Sequence, residues 1–159
     1  MPWTHQIKGN KLRKAENKIL VVDDEPLICD FLYDALKSKG YSVVAVNNGQ
    51  EAMNILRHDA VSAVISDVKM PKMSGAVLLK RVKELFPSLP VIMITGYGSV
   101  NDAVEIMKQG ATDYIPKPFS VSKLHEVVEK SITSRIFEYK SNREIITEDK
   151  NMIKILETI

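Results

Sequence analysis

Lys18-Ile19-Leu20-Val21-Val22-Asp23-Asp24-Glu25-Pro26 is the stretch that decides the fold: a short, β-branched apolar run that stops abruptly on three acids and a proline. A strand with one wet face alternates apolar and polar residues, whereas Ile19 to Val22 is continuously apolar, as in a strand covered on both faces. Similar runs recur at Val43 to Val46, Val61 to Ile65 and Val91 to Thr95, with a weaker one at Thr112 to Ile115. Between them the period changes to 3.6 residues. Leu27, Ile28, Phe31, Leu32, Ala35 and Leu36 share a helical face that ends at Gly40, and Ala52, Met53, Ile55 and Leu56 mark the next helix. Val77, Leu78, Val82 and Leu85 precede Pro87, and Val100, Ala103, Val104 and Met107 precede Gly110, with Ser99 and Asp102 as a capping-box-like start. A fifth helix begins near Ser120 and carries Val121, Leu124, Val127, Val128, Ile132 and Ile136. Five strands alternating with five helices predict a parallel α/β sheet, whose ligand crevice lies outside the carboxyl ends of the strands.

Those ends carry the chemistry. The first strand ends in Asp23, Asp24 and Glu25, the third in Asp67 and the fourth in Thr95, and Lys117 and Pro118 come just past the fifth. One strand-terminal Asp is ordinarily a turn or cap residue. The carboxylates of Asp23, Asp24 and Asp67, converging on one sheet edge about 5 Å apart, would repel by roughly 3 kcal/mol per pair at an effective dielectric near 20, so a cation is expected among them. Hard oxygen donors suit Mg²⁺, with Lys117 as a second, fixed positive charge. Zinc is disfavoured, because His5, His58 and His125 are scattered and Cys29 is the single cysteine. A carboxylate flanked by a divalent ion and an ammonium is placed to attack a phosphoryl group, and Asp67, alone on its strand, is the nucleophile candidate.

The four segments VVDDEP (21–26), SDVKMPKMSG (66–75), MITGYGS (93–99) and DYIPKPF (113–119) resemble, in order and spacing, the signatures of response-regulator receiver domains, covering about residues 18–134. The resemblance implies a flavodoxin-like, doubly wound sheet of strand order 2-1-3-4-5 flanked by five helices. It implies that Asp67 accepts a phosphoryl group from a partner sensor histidine kinase. Asp23 and Asp24 would position Mg²⁺ with Asp67 and the backbone carbonyl of Lys69. Thr95 and Lys117 would bind the phosphoryl group, Tyr114 would change rotamer as Thr95 moves, and the bond before Pro118 would be cis. Lys72 and Ser74 stand where glycine and aspartate are common in the family, and Pro116 crowds the end of the fifth strand. Without the resemblance, Tyr114 reads as a half-exposed packing residue and Thr95 as an ordinary strand residue. Cys29 reads as a small buried hydrophobe, and Met53, Met70, Met93 and Met107 as core or turn packing.

Rival readings fit less well. A phosphatase of the haloacid dehalogenase type would want Asp-x-Asp after strand one, where residues 23–25 read Asp-Asp-Glu. A dinucleotide reading of Gly96-Tyr97-Gly98 fails because Asn101 occupies the third glycine position. No Gly-x-x-x-x-Gly-Lys occurs, so no enzymatic activity is expected beyond the receiver's own phosphorylation and dephosphorylation.

Charge and length bound the rest. The chain has 159 residues, enough for one domain and an appendage. Residues 1–17 carry four basic groups against one acid, residues 18–134 thirteen against fourteen, and residues 135–159 five of each. The net charge of +2 therefore comes from the amino-terminal tail, and no nucleic-acid surface is expected on the domain. No run approaches 18 apolar residues and no signal peptide is visible, so neither a membrane role nor export is predicted and a cytoplasmic location is. Residues 1–17 read as a flexible tail and 135–146 as a helical linker. Residues 147–159 read as an amphipathic helix, and the segment from 145 resembles the opening of the ATPase domain in nitrogen-regulation-class enhancer-binding activators. The resemblance implies a transcription-activating output and a homodimer through the helix 4, strand 5, helix 5 face and the linker. A stand-alone relay receiver acting by contact is the alternative.

Overall fold

A computed structural model describes residues 17–96 and 100–135. Five parallel strands, β1 (Lys18–Val22), β2 (Ser42–Val46), β3 (Ala63–Asp67), β4 (Val91–Thr95) and β5 (Asp113–Pro116), form one sheet in the order β2-β1-β3-β4-β5. Between them lie α1 (Pro26–Lys37), α2 (Gly49–His58), α3 (Gly75–Leu85) and α4 (Val100–Lys108). A fifth helix, α5, runs through residues 121–135 to the end of the described chain.

The unbroken apolar runs have a simple cause: alternate residues of each strand feed two separate cores. On one side, Ile19, Val21, Ile65, Ile92, Ile94 and Ile115 pack with Leu32 and Leu36 of α1 and with Leu124, Val128 and Ile132 of α5. On the other, Leu20, Val22, Val64, Val91 and Met93 pack with Ala52 and Leu56 of α2, Leu78, Leu79 and Val82 of α3 and Ile106 of α4. Each such fully buried aliphatic side chain contributes about 1.5–3 kcal/mol relative to exposure.

The helical faces are narrower than the periodicity suggests. Of the six residues assigned to the α1 face, Leu32, Ala35 and Leu36 are buried, Ile28 is partly so, and Leu27 is 83% exposed. A helix lying on a sheet buries only the stripe touching the strands, and the flanks of a wide apolar face stay in water. Val77, Leu85, Val100 and Val104 are exposed for the same reason, and so is Met107, whereas Met53, Met70 and Met93 are buried. The third strand starts at Ala63 rather than Val61 and extends through Ser66 and Asp67, because ladder pairing with β4 continues to Asp67 opposite Ile94. The strand thus ends on Asp67, as the sequence predicts.

Caps set the remaining boundaries. Asn48 accepts the Glu51 N–H at the start of α2, and Ser74 accepts the Val77 N–H at the start of α3. Ser74 thus does what an aspartate would do there. The proposed Ser99 cap, all but the first residue of the linker 135–146 and the helix 147–159 lie outside the described residues.

Candidate functional site

Strand register assembles the site. Val22 pairs with Ser66, so the next residues, Asp23 and Asp67, emerge side by side at the point where the strand order reverses. Asp67 pairs with Ile94 and Thr95 with Pro116, which brings Thr95 and then Lys117 to the same edge. Asp67, Thr95 and Lys117 line a cavity of about 580 Å³ with Asp24, Glu25, Lys69 and Gly96, closed on its apolar side by Ile28, Phe31, Pro118 and Phe119. The rings of Phe31 and Phe119 lie 5.9 Å apart at 60°, so the cavity wall joins α1 to the segment after β5.

Lys117 Nζ sits 3.7 Å from Asp23 Oδ2 and 3.6 Å from Asp67 Oδ2, between the two carboxylates and beyond hydrogen-bond length from either. Asp23 is 1% exposed and its Oδ2 has no hydrogen-bond partner, while its Oδ1 accepts the Glu25 N–H at 2.9 Å. Burial pushes the Asp23 carboxyl up from its ordinary value, with the Asp67 charge adding to the shift and the Glu25 N–H and Lys117 opposing it. Asp67, 7% exposed, is likewise raised by burial, against the opposing pull of Lys117 and of backbone N–H groups. One ammonium thus falls short of compensating these two buried acids.

The acids gather at the mouth of the cavity. Carboxylate oxygens of Asp23, Glu25 and Asp67 lie within 4.8 Å of one another, whereas Asp24, exposed, lines the cavity outside this triplet. Glu25, the third acid after β1, adds a carboxylate beside the pair from Asp23 and Asp67. Three converging carboxylates with one buried, unpartnered oxygen fit a hard divalent cation, so the residues present can hold a metal. Thr95 is buried at the end of β4, and Tyr114 on β5, half-buried, packs against the core on the α2–α4 side. Lys69 lines the cavity, and its N–H lies 3.4 Å from Asp67 Oδ1. The Lys117–Pro118 bond is cis.

The loop from β3 to α3 is tightly closed. The Gly75 N–H returns to the Val68 carbonyl at 2.8 Å, and a Cβ on Gly75 would fall 2.0 Å from the Asp67 carbonyl oxygen. Only glycine permits that approach. Lys72, in the same loop, adopts the left-handed region at φ 68°, which explains why a glycine would be at home there. Pro116 has no N–H, and Lys117 N–H instead donates to the Thr95 carbonyl at 2.8 Å. Cys29 is half-buried, its Sγ 3.1 Å from the Asp23 carbonyl, so it is more than the plain hydrophobe expected.

The sequence matches the response regulator receiver domain family over residues 19–129. The chain belongs to that family. This receiver is 43% identical over 111 residues to the response regulator protein FleR of Pseudomonas aeruginosa, covering 70% of this chain and 24% of that protein. It is 40% identical over 114 residues to the transcriptional regulatory protein ZraR of Escherichia coli K12, covering 72% and 26%. The chain spans about a quarter of the length of these curated relatives. Among solved structures, the receiver domain protein of Clostridium thermocellum superposes with a TM-score of 0.73 at 32% identity, over 76% of this chain and 98% of that one. NtrX from Brucella abortus, in complex with ADP, superposes with a TM-score of 0.76 at 31% identity, over 79% and 29%. The receiver fold and its strand order are thus shared. Among the described residues no helix is long and apolar enough to cross a membrane.

Proposed function

We propose that this receiver takes a phosphoryl group on Asp67 from a partner histidine kinase, with Mg²⁺ bound, and that the acyl phosphate switches a transcription-activating output. The observation that carries the reading is Lys117 Nζ, poised 3.6–3.7 Å from two buried carboxylates whose charge it only partly balances. An Asp67 oxygen attacks phosphorus as the phosphorus–nitrogen bond of the donor phosphohistidine breaks, and the imidazole nitrogen leaves with the electron pair. Lys117 moves from pairing carboxylates to pairing phosphoryl oxygens, and the Thr95 hydroxyl donates to one of them. Asp23, Asp24, Asp67 and the Lys69 carbonyl are the candidate holders of Mg²⁺. When bound, the cation neutralises charge developing on the phosphoryl oxygens. Tyr114, packed on the core beneath α4, is placed to follow a displacement of Thr95, one strand away.

Exposed Val100, Val104 and Met107 make the α4 side of the α4–β5–α5 face apolar, which supports pairing of two copies there, aided by the linker. The transcriptional output rests on the similarity to ZraR and FleR, and a cytoplasmic location agrees with the chemistry of the kinase partner. Mass spectrometry after acetyl phosphate and Mg²⁺ tests the assignment. A single phosphoryl adduct is expected on the wild type and none on Asp67→Asn, and an adduct that survives the substitution rejects Asp67.

A further inference from the structure

We infer that Ser66, one residue before the acceptor, is a positioning residue whose hydroxyl holds the Asp67 main chain in the attitude that phosphoryl transfer needs; the inference rests on the acceptor reading above. β3 alternates its residues between two cores, and Ser66 follows Val64 on the side that packs against α2, α3 and α4. It is 0% exposed, and its neighbours in register, Val22 and Met93, are both buried and apolar. An aliphatic residue would serve that core better, because a buried hydroxyl costs stability unless it is hydrogen-bonded. Ser66 Oγ is bonded: it donates to the Asp67 carbonyl at 3.0 Å.

That carbonyl has little else to hold it. Ladder pairing of β3 with β1 stops at Ser66 opposite Val22, and among the described residues no N–H from a turn, loop or cap donates to the Asp67 carbonyl. Gly75 crowds it, so near that a Cβ there would fall 2.0 Å from the oxygen. The peptide unit that starts at the Asp67 Cα is planar, so fixing its carbonyl also fixes the N–H at its other end, that of Val68. This N–H donates to the Ile94 carbonyl of β4 at 3.0 Å, and it draws on the Asp67 carboxylate against the effect of burial. A hydroxyl at one end and a neighbouring strand at the other hold the unit that carries the acceptor. Without the hydroxyl the unit can tilt, and the carboxylate then shifts against both Lys117 Nζ and the Lys69 N–H, which lies 3.4 Å from Asp67 Oδ1.

The rate at which the full chain gains a phosphoryl adduct on Asp67, followed by mass spectrometry with acetyl phosphate at saturating Mg²⁺, tests this. Ser66→Thr keeps the hydroxyl and Ser66→Val puts a methyl in its place. Both add the same extra methyl to the core, so strain from it cancels between them. Each reaction is run well below the variant's melting temperature, where a loss of stability alone leaves the chain folded and the rate unmoved. Ser66→Thr should react within about threefold of wild type and Ser66→Val about tenfold below Ser66→Thr, short of the roughly hundredfold that a 1 Å misplacement costs. Ser66→Ala, which adds no atom, should be slowed as Ser66→Val is, and it keeps the test open if the added methyl prevents folding. If Ser66→Val matches Ser66→Thr, or Ser66→Ala matches wild type, the hydroxyl serves the core alone and the inference is overturned while the acceptor reading stands. If the wild type takes no adduct on Asp67, the acceptor reading fails, and the role of Ser66 with it.

Discussion

Burial raises the carboxyl groups of Asp67 and Asp23, so the fold holds their protons more tightly than the unfolded chain does. For such a group the stabilising contribution is complete below the unfolded value and is lost as pH rises through the elevated folded one. At neutral pH without divalent ions the two acids therefore oppose folding. Asp67→Asn, neutral and nearly isosteric, should melt above the wild type in chelator at pH 7, even though Lys117 loses a partner, since the net direction at Asp67 already includes that partner. The gap should close as pH falls toward the elevated carboxyl range, and Mg²⁺ should raise the melting temperature of the wild type only. Thermal melts at several pH values check both signs. Lys72 presents a separate strain. A left-handed residue with a side chain costs roughly 1–2 kcal/mol and glycine's added chain entropy about 0.5–1, so Lys72→Gly should stabilise by roughly 0.5–1 kcal/mol in urea titration.

At the scale of elements, the junction of β3 with α3 governs the acceptor. A methyl on Gly75 would meet the main chain of Asp67 and Val68, neither of which can rotate away. Gly75→Ala should cost more than about 2 kcal/mol in denaturant titration and weaken Mg²⁺ binding as well, because the displaced backbone carries the nucleophile. Gly49 offers a contrast of degree: its added Cβ would meet Met73 side-chain atoms at 2.7–2.9 Å rather than main chain at 2.0 Å, so Gly49→Ala should cost less than Gly75→Ala. α5 is pinned at both ends. His125 Nε2 lies 2.6 Å from the Ala35 carbonyl of α1, and Arg135 donates to the carbonyls of Val61 and Ser62. Removing Arg135 as Arg135→Ala should cost about 1–3 kcal/mol by the same titration, since hydrogen bonds from a charged donor to two carbonyls are lost.

These contacts also mark what could be read from the sequence. The strands were legible because residues serving two cores cannot alternate, and the candidate site was legible because Asp67 and Thr95 end strands while Asp23 and Lys117 come directly after them. Strand order came from resemblance, since periodicity says nothing about which strands are neighbours. The width of each buried helical face was illegible: Leu27 and Leu32 are alike in chemistry and differ only in where the sheet lies. Gly75 stood in a recognisable signature, but its physical need was illegible, arising from a loop that folds back on its own start.

For the whole molecule, the proposed acceptor lies on the central strand and the proposed readout face lies at one side of the sheet. Coupling therefore has to cross β4 to reach β5 and α4, and Lys117 is the side chain that touches the acceptor from β5's end. Lys117→Ala should leave the circular dichroism spectrum intact and still allow a phosphoryl adduct on Asp67. It should abolish the change in amide hydrogen exchange over α4, β5 and α5 that the adduct produces in the wild type; an undiminished change would remove Lys117 from the switch. Light scattering of the full chain and of a chain ending at 134 should show weaker pairing in the shorter one, and equal pairing would leave the linker without a part in it.

Pro116 has one more effect. β5 is the outermost strand on its side, only four residues long, and its last position lacks an amide hydrogen. An open strand margin is a template on which foreign chains can grow into fibrils, and brevity and proline are two ways by which natural sheets blunt it. The residue that crowds the end of the sheet thereby guards against amyloid-like stacking along the flank nearest the switch.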